Sequence, residues 1–230
     1  AGYSGDLTQS VVQPASLRPS VHLNLKYDMG NQFYVRGGLT WGMIGASDQY
    51  NSSADLVQRN LSFQTHIFEA NLCLEYAVLP PDIFDQGYPY VFAGLGVFHF
   101  DPYTFDQGKK VNLAPLSTEG EGLPEYPGRK PYKLTQLCLP FGAGFTVRLN
   151  DQFNLSAEAG FRKLFTDYLD DVSTTYPNAA ILASRKGPEA ARLSYRGTYK
   201  NVPIDGSPAE GSVRGNPGKN DWYYFVGLKL

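Results

Sequence analysis

At 230 residues, with 16 tyrosines, 14 phenylalanines, 24 glycines and 16 prolines, the chain has the size of one domain (1–230) and a composition that favours strands and turns over helices. Its formal net charge of −2 offers no basic footprint for phosphates, so nucleic acid is not an expected partner. The longest apolar stretch, Leu134 to Val147, falls short of the roughly 18 residues of a spanning helix and contains Gln136, Pro140, Gly142 and Gly144; a helical membrane protein is excluded, and a closed barrel remains able to satisfy its backbone in lipid.

In chain order, Ala1 to Ser4 reads as the upper end of a first strand that begins before Ala1, followed by a loop over Gly5 to Pro19. Seven segments then show the two-residue period of strands. Val21, Leu23, Leu25 and Tyr27 alternate with His22, Asn24, Lys26 and Asp28; Phe33, Val35, Leu39, Trp41 and Met43 alternate with Tyr34, Arg36, Gly38, Thr40 and Gly42. Phe68, Ala70, Leu72, Leu74 and Tyr76 oppose Ile67, Glu69, Asn71, Cys73 and Glu75. Tyr90 to Phe100 is apolar on both faces and has no readable phase. The alternation returns over Gln136 to Leu149, over Phe153 to Arg162, and over Trp222 to Leu230.

The connectors alternate short and long. Asp28 to Gln32, Leu79 to Tyr88 and Asn150 to Gln152 are short or medium; Ser47 to Ser62, Asp101 to Thr135 and Thr166 to Asp221 are long. Outer-membrane barrels have this asymmetry, with tight periplasmic turns and large extracellular loops. Even strand numbers are the rule there, so the seven segments imply an eighth, placing both chain ends on the periplasmic side. The expected fold is an all-β, eight-stranded antiparallel transmembrane barrel with its first strand truncated or short.

Alternation does not say which face is wet, because a soluble barrel has the same period with the faces reversed. The polar face carries Gly38, Gly42, Gly142, Gly144 and Gly160 rather than a dense cover of Lys and Glu, which suits a narrow, crowded interior. Lys26, Arg36, Arg148, Arg162 and Lys229 are placed inside, with Glu69, Glu75 and Glu158 as partners. Charges out of water demand such pairing, and the lumen is expected to be polar and plugged rather than a pore. Tyr27, Phe33, Tyr34, Tyr76, Tyr88 and Tyr90 would girdle the periplasmic rim, and Trp222, Tyr223 and Tyr224 the other.

His22, His66 and His99 belong to no nucleophile elbow, Cys-His signature or zinc motif, so no enzyme is expected. Cys73 and Cys138 have no metal-ligand spacing and read as small packing residues. The acidic run Thr166, Asp167, Tyr168, Asp170 and Asp171 lacks calcium-loop spacing and reads as a structured loop segment, a candidate for partner contact. No cofactor or metal is expected.

Six segments carry a resemblance: Tyr3 to Leu7, Pro89 to Gly94 with Phe98 to Pro102, Ser117 to Gly120, Phe165 to Ser173, Arg196-Gly197, and Asp221 to Tyr223. Together they resemble the PorG-like outer-membrane barrels of Bacteroidota, across almost the whole chain. The resemblance implies an accessory barrel of the type IX protein secretion machinery, anchoring a periplasmic lipoprotein ring to the outer membrane, with outer-membrane lipids and secretion subunits as partners and no catalytic residues. Members have a signal peptide and a first strand ahead of the Gly5-Asp6-Leu7 segment. The alternatives are an accessory barrel of another envelope complex such as the outer-membrane protein insertion machinery, a surface-binding barrel, and a lipid-modifying barrel enzyme using one of the histidines.

Overall fold

A computed structural model describes residues 1–8, 17–80, 87–199, 202–203 and 206–230. Residues 9–16 of the first expected loop and 81–86 of the Leu79 to Tyr88 connector lie outside the described residues. The fold is mostly antiparallel sheet. Its strands are β1 (Gly2–Ser4), β2 (Ser20–Gly30), β3 (Phe33–Ser47), β4 (Ser62–Ala77), β5 (Tyr88–His99), β6 (Tyr103–Asp106), β7 (Lys109–Asn112), β8 (Thr135–Arg148), β9 (Asn154–Leu164), β10 (Thr198–Tyr199), β11 (Val202–Pro203) and β12 (Trp222–Lys229). Helices are short: α1 (Ala54–Arg59), α2 (Ala179–Lys186) and α3 (Pro188–Ser194). None of them is long and apolar enough to cross a membrane.

Eight strands follow one another in the order β1-β12-β9-β8-β5-β4-β3-β2, while the β6–β7 hairpin extends from β4 and β10–β11 form a separate ribbon. The seven segments of alternating sequence are the seven long strands of this path. Two positions with positive φ, Asn31 and Gln32, make the tight β2–β3 turn, the backbone that matches the twist of a two-residue hairpin. At the β8–β9 turn the Asn150 side chain accepts from the amides of Gln152 and Phe153. The sheet thus has a turn end, with the β2–β3 and β8–β9 turns, and a loop end, where the chain leaves the strands at Gly5, Asp48, Phe100 and Phe165.

The ladder does not close. Ala1 and Arg18 exchange backbone hydrogen bonds at the loop end, and His22 of β2 packs on Phe225 of β12 with ring centroids 4.6 Å apart. Beyond that point, among the described residues, β2 pairs only with β3, and β12 only with β9, because β1 spans three residues. A cleft of about 510 Å³ separates the two edges.

One face of the sheet is enclosed and the other exposed. Its inner glycines admit large partners: a Cβ at Gly142 would lie 2.7 Å from the Phe92 ring, and one at Gly144 2.4 Å from the Tyr90 ring. This explains the apolar inner face of β5. Phe92 and Phe98 point inward like Tyr90, while Val91, Leu95 and Val97 point out.

The interior is not polar throughout, as the sequence reading expected. At the loop end the inner face is an aromatic and aliphatic core, with Tyr3, Ile44, Phe63, Ile67, Phe98, Phe100, Tyr223 and Phe225 packed against Leu169, Val172 and Leu193 from the connectors. The connectors fold back over that end and exclude water, so apolar burial wins there.

Candidate functional site

Three surfaces of the sheet carry chemistry, and the ion pairs of the inner face come first. Near the turn end, Lys26 of β2 meets Glu75 of β4 (2.5 Å), and Arg36 of β3 bridges Glu75 (3.1 Å) to Glu158 of β9 (2.6 Å). Lys229 of β12 also reaches Glu158 (2.5 Å), and Tyr90 donates to the same oxygen at 2.9 Å. Further up, Arg162 of β9 pairs with Glu69 of β4 (3.0 Å), which also accepts from the Tyr223 hydroxyl at 2.7 Å. Phe92 lies 4.1 Å beneath the Arg36 guanidinium, and Phe225 4.7 Å beneath that of Arg162. Five strands are cross-linked through the interior by these pairs, whose arginines and glutamates are buried and whose two lysines stay partly exposed toward the turn end.

Seven of the eight charged residues expected inside are brought together in this way. Arg148 is not: it stays more than half exposed at the turn end and pairs with Asp151 of its own turn, because it is the last residue of β8 and lies beyond the enclosed interior. The expected aromatic girdles also divide. Tyr27, Phe33 and Tyr76 face outward, the latter two packed at 4.9 Å. Tyr34, Tyr88 and Tyr90 turn inward around Lys26. At the other end Tyr223 and Tyr224 are buried, leaving Trp222 partly exposed.

The second surface is the cap made by the loops. Glu119 is fully buried and accepts from the amides of Ser173 and Thr174, the hydroxyls of Thr174 and Tyr168, and Arg214 Nη1 at 2.9 Å. Gly120, at φ +83°, turns the chain tightly beneath the Tyr126 ring. Arg214 also donates to the carbonyls of Asp171 and Ser194, and its own carbonyl accepts from Arg59. Arg59 in turn grips Asp48 with two parallel bonds of 2.7 and 2.8 Å, and Tyr3 donates to both Asp170 (2.5 Å) and Asp221 (3.0 Å).

This network takes in the Thr166 to Asp171 run, expected from sequence to be a structured loop segment and a candidate for partner contact. Thr166, Asp167, Asp170 and Asp171 are buried, and Tyr168 is half-buried against Tyr132. The sequence could not show this, because Arg214 and Glu119, which tie the run down, are distant in the chain and in no motif. Burial, with the nearby Asp171 and Glu119 charges, raises the Glu121 carboxyl to about 8. Burial, with Asp6 and Asp170 close by, raises that of Asp167 to about 8. Among the described residues no group of three or more His, Cys, Asp or Glu is arranged to hold a metal ion.

His22 lies inside, its ring nitrogens 3.0 Å from the Thr40 hydroxyl and 3.2 Å from that of Ser20. His66 and His99 are on the opposite, outer face, His66 stacked between Trp41 and Tyr103 and His99 bonded to Thr135. The three rings do not converge, and hydroxyls stand where a carboxylate would hold and charge-balance a general base. Cys73 and Cys138 are free and buried on the inner face.

The third surface is the outer face. Val21, Leu23, Leu25, Leu39, Phe68, Leu72, Leu95, Leu137, Val226 and Leu228 stand exposed in a continuous band across the strands, Leu25 at 78 %. Contiguous apolar areas of this extent are rare on water-facing surfaces and mark contact with a partner protein, a membrane or a ligand. No family model, curated protein or solved structure matches the chain.

Proposed function

We propose that the chain is an eight-stranded β-barrel of a bacterial outer membrane, of the PorG-like type, acting as a non-enzymatic anchor subunit of the type IX secretion machinery that docks a periplasmic lipoprotein ring. The membrane part rests on one observation: the long strands turn apolar side chains to the exposed face, and β2, β3, β4, β9 and β12 pair charges on the enclosed one. In hydrocarbon the cost of that exposed face disappears, and the cross-strand ion pairs supply what the interior needs. Side chains fill the loop end of the interior under a tied-down cap, which favours an anchor over a diffusion pore.

The secretion part rests on the resemblance of the six segments, five of which meet in the folded chain. Tyr3 bonds Asp170 and Asp221, Thr118 bonds Asp171, Glu119 bonds Ser173, and Phe98 packs on Tyr223. With the loop end closed over by the cap, the short turns and the strand ends at the opposite rim are the surface for periplasmic subunits. Gentle detergent extraction of native envelopes, followed by identification of everything still attached, tests this. Secretion subunits with a lipoprotein ring are expected; recovery as a lone barrel while the machinery stays intact removes the anchor role. Recovery with insertion-machinery subunits instead selects the second reading, an accessory barrel of that complex.

A further inference from the structure

The outer face changes character once along β3 and β4. Toward the turn end, Leu39 and Phe68 belong to the apolar band; above them Trp41 and His66 stack at 5.7 Å, and His66 stacks on Tyr103 at 6.1 Å. Beyond this aromatic line a recess of about 430 Å³ opens on the same face, lined by Arg18, Gln49, Tyr50, Asn60, Gln64 and Arg196 among others. Among the described residues it contains two guanidinium groups and no carboxylate. Below the line lies a second recess of about 520 Å³, walled by Val21, Leu23, Leu39, Trp41, Phe68 and Val97.

The two arginines are placed to bind from outside. Arg196 is half-buried and fixed by neutral acceptors alone: the Ser62 hydroxyl at 3.4 Å, the Thr104 hydroxyl at 3.2 Å and the Phe105 carbonyl at 3.2 Å. Arg18 has an exposed side chain on a backbone pinned by Ala1. A third cation, Lys110, sits 4.0 Å above the Tyr103 ring. None of the three has a carboxylate within ion-pair distance among the described residues, although the chain carries a net charge of −2 and its cap is rich in buried acids. Guanidinium forks match phosphate oxygens, and amide and hydroxyl side chains beside them match sugar hydroxyls.

We propose that the polar recess holds the headgroup of a phosphorylated glycolipid of the outer leaflet, with an acyl chain of the same molecule in the apolar recess below. Arg18 and Arg196 take the phosphate; Gln49, Asn60 and Gln64 take sugar hydroxyls; the Trp41–His66–Tyr103 stack marks the boundary between head and chain. This rests on the membrane orientation proposed above, since only then does this face meet lipid at headgroup height.

The test uses the full chain reconstituted into phosphatidylcholine vesicles containing lipid A or its fully dephosphorylated form, with bound lipid measured by native mass spectrometry after mild extraction. Retention of lipid A over the dephosphorylated form by about 100-fold is expected, falling to about 10-fold in Arg18→Gln and to near parity in Arg18→Gln with Arg196→Gln. Arg18→Gln changes an exposed side chain, and heat-modifiable migration reports that the fold is kept. Equal retention of the two lipids, retention unchanged in both variants, or full displacement by inorganic phosphate overturns the inference. Failure of the wild-type chain to float with the vesicles overturns the membrane reading and the lipid site with it; a chain that floats without discriminating overturns the lipid site alone.

Discussion

Arg162 and Glu69 show what a single charge does in this interior. Both are almost fully buried, and Glu69 keeps only neutral donors, the Tyr223 hydroxyl and the Asn71 amide, when the guanidinium is removed. Losing one partner of a buried pair strands the other charge, at about 3–5 kcal/mol. Arg162→Ala is therefore expected to lower stability by that amount in denaturant titrations in detergent, whereas Arg148→Ala, at an exposed pair, should stay within ~0.5 kcal/mol. Equal effects of the two would remove the distinction between the inner ladder and the turn. The sequence alone placed all eight charges inside because alternation assigns a face and gives no depth: Arg148 has the right parity and lies one residue too far toward the strand end. Ile67, Tyr223 and Phe225 carried the complementary signal, large apolar residues on the polar parity, pointing to the apolar upper core.

At the scale of elements, the strands were legible and the cap was not. Period-two alternation survives wherever the two faces meet different surroundings; it failed over Tyr90 to Phe100 because Tyr90 and Phe92 fill space left by glycines on β8 and β9 and Phe98 packs in the apolar upper core. Helix α2 had a readable start, since Asn178 accepts from the amides of Ala180 and Ile181. The cap as a whole depends on partners far apart in sequence, such as Arg59 with Asp48 and Arg214 with Glu119. Its acids predict a pH dependence. Glu121 and Asp167 hold protons up to about 8 in the folded cap, while the unfolded chain releases them near 4.5 and 3.8. Between those limits folding takes up protons, so cap stability falls as pH rises. Amide exchange over residues 117–122 and 166–174, corrected for its intrinsic pH dependence, should show protection declining from about pH 5 to about pH 9. Glu121→Gln should flatten that slope, and an unchanged slope would show that Glu121 carries no part of it.

For the whole molecule, the decisive property is which phase meets the exposed face. Leu72 lies midway along β4 and is exposed there. If that face meets hydrocarbon, Leu72→Arg costs about 2–4 kcal/mol in a bilayer, and the variant should insert poorly into vesicles. In water the same change places a charge on an already exposed site and costs almost nothing. Insertion at the wild-type level would therefore argue against the membrane reading, independently of any partner.

The gap between β2 and β12 has a consequence for how the sheet comes apart. Peptide groups along those two margins lack a neighbour on one side, whereas β4, β5 and β8 are laced on both. Fraying should start at the gap and travel inward, with deuterium entering the β2 and β12 amides first and those of β5 last. A uniform rate across all seven long strands would mean that the molecule opens in a single step, with no weak margin.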